Sequence, residues 1–294
     1  MNAPADSQVS EPTPDRVRSF LFEALDIRGA WVQLGSAWQT MTAGRAYPAP
    51  AAQLLGELAA VTTLMGANLK QPGRLTFQLR GDGAVSLLLM DCDEQLRLRG
   101  MLRAQTDLMS GNLSDLLGEG ALTLTLDRPD SEQPYQSHVP LQGASLAAVF
   151  EHYLAQSEQS DTRLWLMANE TMAAGLFLQV LPGAAARDAD GWNRVQCLAD
   201  TVRPAELAGL GLIKLIERLF PEEDVRVFEP RPVSYCCPYD LDKIMAMLRG
   251  VGRQECESIL AEQGEIHIHD DICNHDYRLD ATMVAALFDG MPAR

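Results

Sequence analysis

The chain has 294 residues, 47% of them hydrophobic, and a net charge of −16 from 24 basic and 40 acidic side chains. Such a length and apolar content predict a globular protein with one large domain and a smaller part. An acidic surface repels phosphate backbones, so no nucleic-acid partner is expected. No apolar run reaches the roughly eighteen residues that a spanning helix needs, so no membrane partner is expected either.

Residues 1–14 are polar and carry Pro4, Pro12 and Pro14. They lack a basic start and an apolar run, so they read as a disordered tail rather than an export signal, and the expected location is the cytoplasm. Phe20, Phe22 and Ala24 alternate, and Ala30 to Leu34 follow Arg28-Gly29, which predicts two half-buried strands. After Pro48 and Pro50, Leu54, Leu55, Leu58, Val61, Leu64, Met65 and Leu69 recur at helical spacing, and Pro72-Gly73 ends the pattern. Strands are predicted at Leu75–Leu79, Ala84–Met90, Leu96–Leu102, Ala121–Leu126 and Gln136–Leu141, with a short helix at Leu113–Leu117. A helix over Ser145–Gln156 and a hairpin of Arg163–Met167 with Gly175–Leu181 complete an α+β domain over residues 15–183.

The character then changes. Ala184 to Gly191 reads as a hinge, followed by helices over Trp192–Thr201 and Pro204–Phe220, where Pro204 suits a first helical turn. These make residues 184–232 a helical linker, closed by Glu229-Pro230-Arg231-Pro232. Residues 233–294 form a C-terminal module, with helices at Asp240–Leu248 and Glu255–Glu262 and a strand at Glu265–His269. A module of this size has a weak core and calls for a metal, a disulfide or docking.

Four of the six cysteines, Cys236, Cys237, Cys256 and Cys273, lie in that module. Of the rest, Cys92 reads as an ordinary thiol and Cys197 as a small buried apolar residue. There is no Gly-rich phosphate loop ending in Lys-Ser/Thr and no Ser-centred nucleophile elbow. His267 and His269 share one face of their strand, but only 25 residues follow His269, too few for a metallohydrolase framework.

Several segments taken in order resemble the thirty-three-kilodalton heat-shock protein family of redox-regulated holdase chaperones. They are Phe20-Leu21-Phe22-Glu23 with Arg28-Gly29, Leu79 to Gly83, Tyr153 to Gln159, Leu178 to Pro182, Arg218-Leu219-Phe220 with Arg226-Val227-Phe228, and Ser258 to Glu262. The resemblance implies a zinc-ribbon-like redox-switch module in which Cys-x-Cys and Cys-x-x-Cys hold one zinc. Here Cys237-Pro238-Tyr239 and Asp270-Asp271-Ile272-Cys273 stand at those places, 30 residues apart, so Tyr239 and Asp270 replace two of the four ligands. Cys237 and Cys273 remain as the redox-active and metal-binding pair that the resemblance implies, with Cys236, His269 and Asp270 as substitute ligands. Tight zinc, weakly held zinc and no zinc all stay open. A single Cys237–Cys273 bond is the expected oxidised form.

The function that the resemblance implies is ATP-independent binding of unfolded proteins, without enzymatic activity. The client surface is expected on Leu207, Leu210, Ile213, Leu215, Ile216, Leu219 and Phe220, uncovered when module and linker unfold under oxidative or heat stress. Partners are then unfolded clients, downstream ATP-dependent chaperones and a second copy of the chain on activation. The alternative is a metal- or thiol-dependent enzyme built on the Cys/His/Asp tail, for example Cys273 activated by His275.

Overall fold

The computed structural model describes residues 15–108 and 111–289; the predicted tail, 1–14, lies outside the described residues. In chain order the first elements are β1 (Arg16–Phe22), β2 (Ile27–Leu34), α1 (Ser36–Thr42), α2 (Ala49–Ala67), β3 (Arg74–Gly81), β4 (Val85–Cys92) and β5 (Arg97–Ala104). Next come α3 (Leu113–Leu117), β6 (Gly120–Asp127), β7 (Tyr135–Pro140), α4 (Leu146–Glu158), β8 (Thr162–Ala168) and β9 (Ala173–Val180). The chain continues through α5 (Ala184–Arg187), α6 (Gly191–Ala199), α7 (Pro204–Gly209), α8 (Leu212–Leu219), β10 (Val225–Val227), β11 (Arg231–Pro232) and β12 (Ser234–Tyr235). It ends with α9 (Leu241–Val251), α10 (Arg253–Gln263), β13 (Ile266–Asp270), β14 (His275–Leu279) and α11 (Ala281–Phe288).

This is a mixed helix and sheet protein whose chain divides into two compact units, one through Cys236 and one from Cys237. The first unit holds two six-stranded sheets. One runs β10-β1-β2-β9-β8, with β11 also on β1; the other runs β12-β5-β4-β3-β6-β7. Helix α2 touches strands of both sheets. Apolar side chains cover nearly its whole surface, and Leu55, Leu58, Val61 and Leu64 are fully buried, as a helix between two layers requires. In the outer pairing of the first sheet, Gly29 lies opposite Phe20. A Cβ at Gly29 would run into the Phe20 ring, so only glycine lets the ring lie flat across the neighbouring strand.

The segment read as hinge and linker packs on the outer face of the first sheet. Phe20, Phe22, Ile27, Trp31, Leu176 and Leu178 from the strands form one core cluster with Val195, Leu207, Leu212, Leu215, Leu219 and Phe220. The expected hinge contains the short helix α5, with Ala184 buried and Arg187 paired to Asp26 at 2.6 Å. The single helix expected over Pro204–Phe220 is two helices. Its chain extends at Leu210 and Gly211, and Gln33 takes up the carbonyls that the break leaves free. Cys197 is exposed, not buried, because α6 turns Val195 and Ala199 inward instead.

Among the described residues, the second unit has three helices and one hairpin around Ile244, Leu248, Cys256, Ile266, Tyr277, Leu279, Val284, Leu287 and Phe288. Gly252, at φ 99°, turns α9 directly into α10, a conformation that suits glycine. Strand β14 and helix α11 extend the module beyond the predicted elements.

Candidate functional site

Two places carry the residues singled out by the sequence. In the second unit, Cys237 precedes α9 and Cys273 sits in the turn between β13 and β14. The two are joined by a disulfide with Cα atoms 5.4 Å apart, within the ordinary range for such bonds. Cys273 is buried. Cys236 is a half-buried free thiol whose backbone N–H donates to the Leu98 carbonyl in the first unit at 3.0 Å.

The two replaced ligand positions have local structural work. The Tyr239 ring stacks on Tyr277, centroids 4.3 Å apart and planes 25° from parallel, while Tyr277 Oη accepts the Asp240 N–H at 3.0 Å. Asp270 Oδ1 accepts the N–H groups of Ile272 (2.9 Å) and Cys273 (3.2 Å), closing the turn that carries Cys273. His269 is turned away to the hairpin's exposed face. There its Nδ1 lies 3.1 Å from Asp276 Oδ1, and His267 Nε2 lies 2.7 Å from the same oxygen. These hydrogen bonds, from His267 first and then His269, hold the Asp276 carboxyl below its ordinary range.

The four-ligand zinc site that the family pattern implies is therefore not assembled. Two sulfurs bonded to each other cannot both serve as thiolate ligands, and Asp270 and His269 are committed elsewhere. Among the described residues no three His, Cys, Asp or Glu side chains converge on a point where a metal could sit. One donor is left over: His275 Nδ1 is buried without a hydrogen-bond partner, its ring 5.8 Å from Tyr239.

The second place is the α7–α8 face. Leu207, Leu215, Leu219 and Phe220 are buried, Leu210 and Ile216 are half-buried, and Ile213 is 44% exposed. Phe220 meets Phe22 edge to face at 5.0 Å. Gln33, itself buried in β2, donates from Nε2 to the carbonyls of Leu207 (2.8 Å), Ala208 (3.0 Å) and Leu210 (3.0 Å). This clamp is absent from the sequence reading. A glutamine among the apolar residues of a strand is its only local sign.

The remaining cysteines separate by environment. Cys92 is buried against Gly66, and burial, with Asp93 and Asp91 nearby, pushes its thiol up to about 12. Burial also raises the Cys256 thiol.

Comparison with known proteins places this arrangement. The profile of the Hsp33 protein family matches residues 15–280. The chain belongs to the Hsp33 family. Among its relatives, the 33 kDa chaperonin of Chromobacterium violaceum is 42% identical over 277 residues, 94% of each chain. That of Methylobacillus flagellatus is 40% identical over 276 residues, 93% of this chain and 94% of its own. The crystal structure of the 33 kDa chaperonin from Thermotoga maritima is similar in fold, with TM-score 0.80 at 18% identity, covering 93% of this chain and 98% of that one. No helix of the described residues is long and apolar enough to cross a membrane.

Proposed function

We propose that this Hsp33-family chaperone is an ATP-independent holdase, not an enzyme, acting in the cytoplasm on unfolded proteins. Its client surface is the α7–α8 face, and heat acting on the second unit and on residues 184–232 governs how much of that face is open. The observation that carries this reading is the docking of a strongly amphipathic, eight-residue helix, α8, on the outer face of a sheet. Each fully buried Leu or Phe contributes roughly 1.5–3 kcal/mol. The isolated helix is too short to persist in water, so once detached it becomes a flexible apolar segment suited to unfolded chains.

In this reading the second unit is the switch. The Cys237–Cys273 disulfide takes the place of a zinc in tying the start of the module to the turn between β13 and β14. Unfolding of the second unit is, in this reading, passed to the residues that lead into it, 228–236. These are fastened by Arg18 to the Phe228 carbonyl at 2.6 Å, by Arg231 to the carbonyls of Ala67 and Glu94, and by Val233 to Asp15. The activated form pairs with a second copy and passes its clients to ATP-dependent chaperones.

The test is light scattering of a thermally unfolding client at 43 °C, without nucleotide, with the chaperone in several-fold excess under reducing and oxidising conditions. Suppression in proportion to chaperone concentration supports the reading. Unchanged aggregation in both conditions, or action at catalytic amounts, overturns it.

A further inference from the structure

Part of the α8 surface stays open in the folded protein. Ile213, Ile216 and Phe220 on one side and Val225 and Val227 of β10 on the other line a groove of about 420 Å³. That volume lies within the range of pockets that hold a small ligand, roughly 300–1,000 Å³. Ile213 is the most exposed of these apolar side chains.

The groove runs along a sheet edge. Strand β10 pairs with β1 on one side, and no strand follows on its other side among the described residues. Phe228 N–H donates to the Ser19 carbonyl at 3.0 Å. With the two-residue period of a strand, Arg226 also faces β1, while Val225 and Val227 turn their N–H and C=O groups outward. Side chains directly opposite each other across a strand pair share a face. A strand added beside β10 would therefore set its residues opposite Val225 and Val227 into the groove.

The rim is acidic. Glu217 and Glu223 border the groove, and Glu222 and Asp224 flank Glu223 in sequence. Glu223 is held by Arg194 at 2.8 Å, and Arg226 by Glu23 at 3.1 Å. The cations on the groove's own elements are Lys214 and Arg218 of α8, the latter paired with Glu206 at 2.6 Å, and Arg226 of β10, and the chain as a whole carries −16. Such a rim favours cationic flanks and disfavours anionic ones.

We propose that this groove binds extended client segments by strand addition to β10, selecting apolar residues at i and i+2 with Lys or Arg on either side. This rests on the holdase reading and adds to it the chemistry of the recognised segment. It also adds a binding mode available before any unfolding. Main-chain hydrogen bonds supply sequence-independent affinity, and the groove and its rim supply the preference.

Fluorescence anisotropy at 20 °C on the folded full chain tests it, using a labelled decapeptide with valines at i and i+2 and lysines at both ends. Glutamate-ended and alternately N-methylated versions are the comparison peptides. The lysine-ended peptide should bind about tenfold more tightly than the glutamate-ended one, and N-methylation should abolish binding. Ile213→Asp should weaken it about tenfold, which is the loss of one partly buried aliphatic contact. Ile213 is 44% exposed and lies outside the buried core cluster, and an unchanged melting curve will show that the variant folds. Equal binding by parent and Ile213→Asp, by the two charge forms, or by the N-methylated peptide would overturn the groove. Client aggregation measured in parallel keeps the two ideas apart. Suppression by a parent that shows no such peptide preference sinks the groove alone, whereas loss of suppression in the parent sinks the holdase reading.

Discussion

Breaking the Cys237–Cys273 bond is expected to loosen the second unit, so that reduction, rather than oxidation, prepares this chain for release. The bond joins residues 36 positions apart. By the chain-entropy relation a loop of that length destabilises the unfolded form by about 4 kcal/mol at 25 °C. A core in a module of this size rarely supplies more than about 3–5 kcal/mol, so the bond accounts for much of what holds the unit folded. At about 4–8 °C per kcal/mol for a small domain, the melting temperature should fall by roughly 15–30 °C on reduction. Differential scanning calorimetry of the full chain, with and without dithiothreitol, reads this directly. The measurement is repeated on Cys237→Ser, Cys273→Ser and in a Cys236→Ser background, which removes exchange with the neighbouring thiol. The first unit's transition should stay in place while the second moves. Between the two melting temperatures, the reduced parent and the serine variant should suppress client aggregation far more strongly than the oxidised parent, in which only the α8–β10 groove is open. Coincident transitions in all forms, or suppression switched on by peroxide alone, would refute the reasoning.

Gln33→Leu should leave three carbonyls at the end of α7 without their donor, costing about 1–3 kcal/mol. Lower stability of the first unit and aggregation suppression at a lower temperature are the expected readouts, from calorimetry and light scattering. Iodoacetamide at pH 8 should label exposed Cys197 rapidly and leave Cys92 unlabelled until the first unit unfolds, because the Cys92 thiol is pushed up to about 12; peptide mass spectrometry distinguishes them. Asp276 sits below the ordinary aspartate value of 3.8, so its contribution to the second unit is present above that pH. The contribution disappears as pH falls through the lower folded value. Urea unfolding of the second unit between pH 5 and pH 2.5 should show a shallower loss for Asp276→Asn than for the parent, and equal slopes would contradict the pairing with His267 and His269.

What the sequence makes legible follows the range of the interactions involved. The alternation in β1, β2 and β3 to β6 and the long apolar pattern of α2 are local signals, and each marks an element found in the structure. Helix α1 has no local cap. Asp15, more than twenty residues earlier, accepts from Gly35 N–H, Ser36 Oγ and Ala37 N–H. Strands β10, β11 and β12 are two or three residues long, too short to show a period, and exist by pairing with β1 and β5. Periodicity runs unbroken through Leu210, yet the helix stops there, because its carbonyls go to a glutamine from another strand. Asp280 before an apolar run is, by contrast, an ordinary capping signal for α11. In the candidate site, Cys237 and Cys273 are legible through the family resemblance. The positions of Tyr239 and Asp270 are legible as departures from it, but not the stacking and turn closure that occupy those side chains.

The pairing of β1 has a consequence for synthesis. One side of β1 meets β2 at once, but the other side waits for residues 225–232. At about 5–20 residues per second, the intervening two hundred residues take a ribosome roughly 10–40 s. For most of that interval the sheet face bearing Phe20, Phe22 and Trp31 lacks Leu212, Leu215, Leu219 and Phe220, which later cover it. The nascent chain thus passes through a stage with a bare apolar face beside an unpaired strand edge, the same liabilities its clients carry. A transcript cut short before the codon for Leu212 would fix the polypeptide at that stage and deliver it to aggregates or to other chaperones.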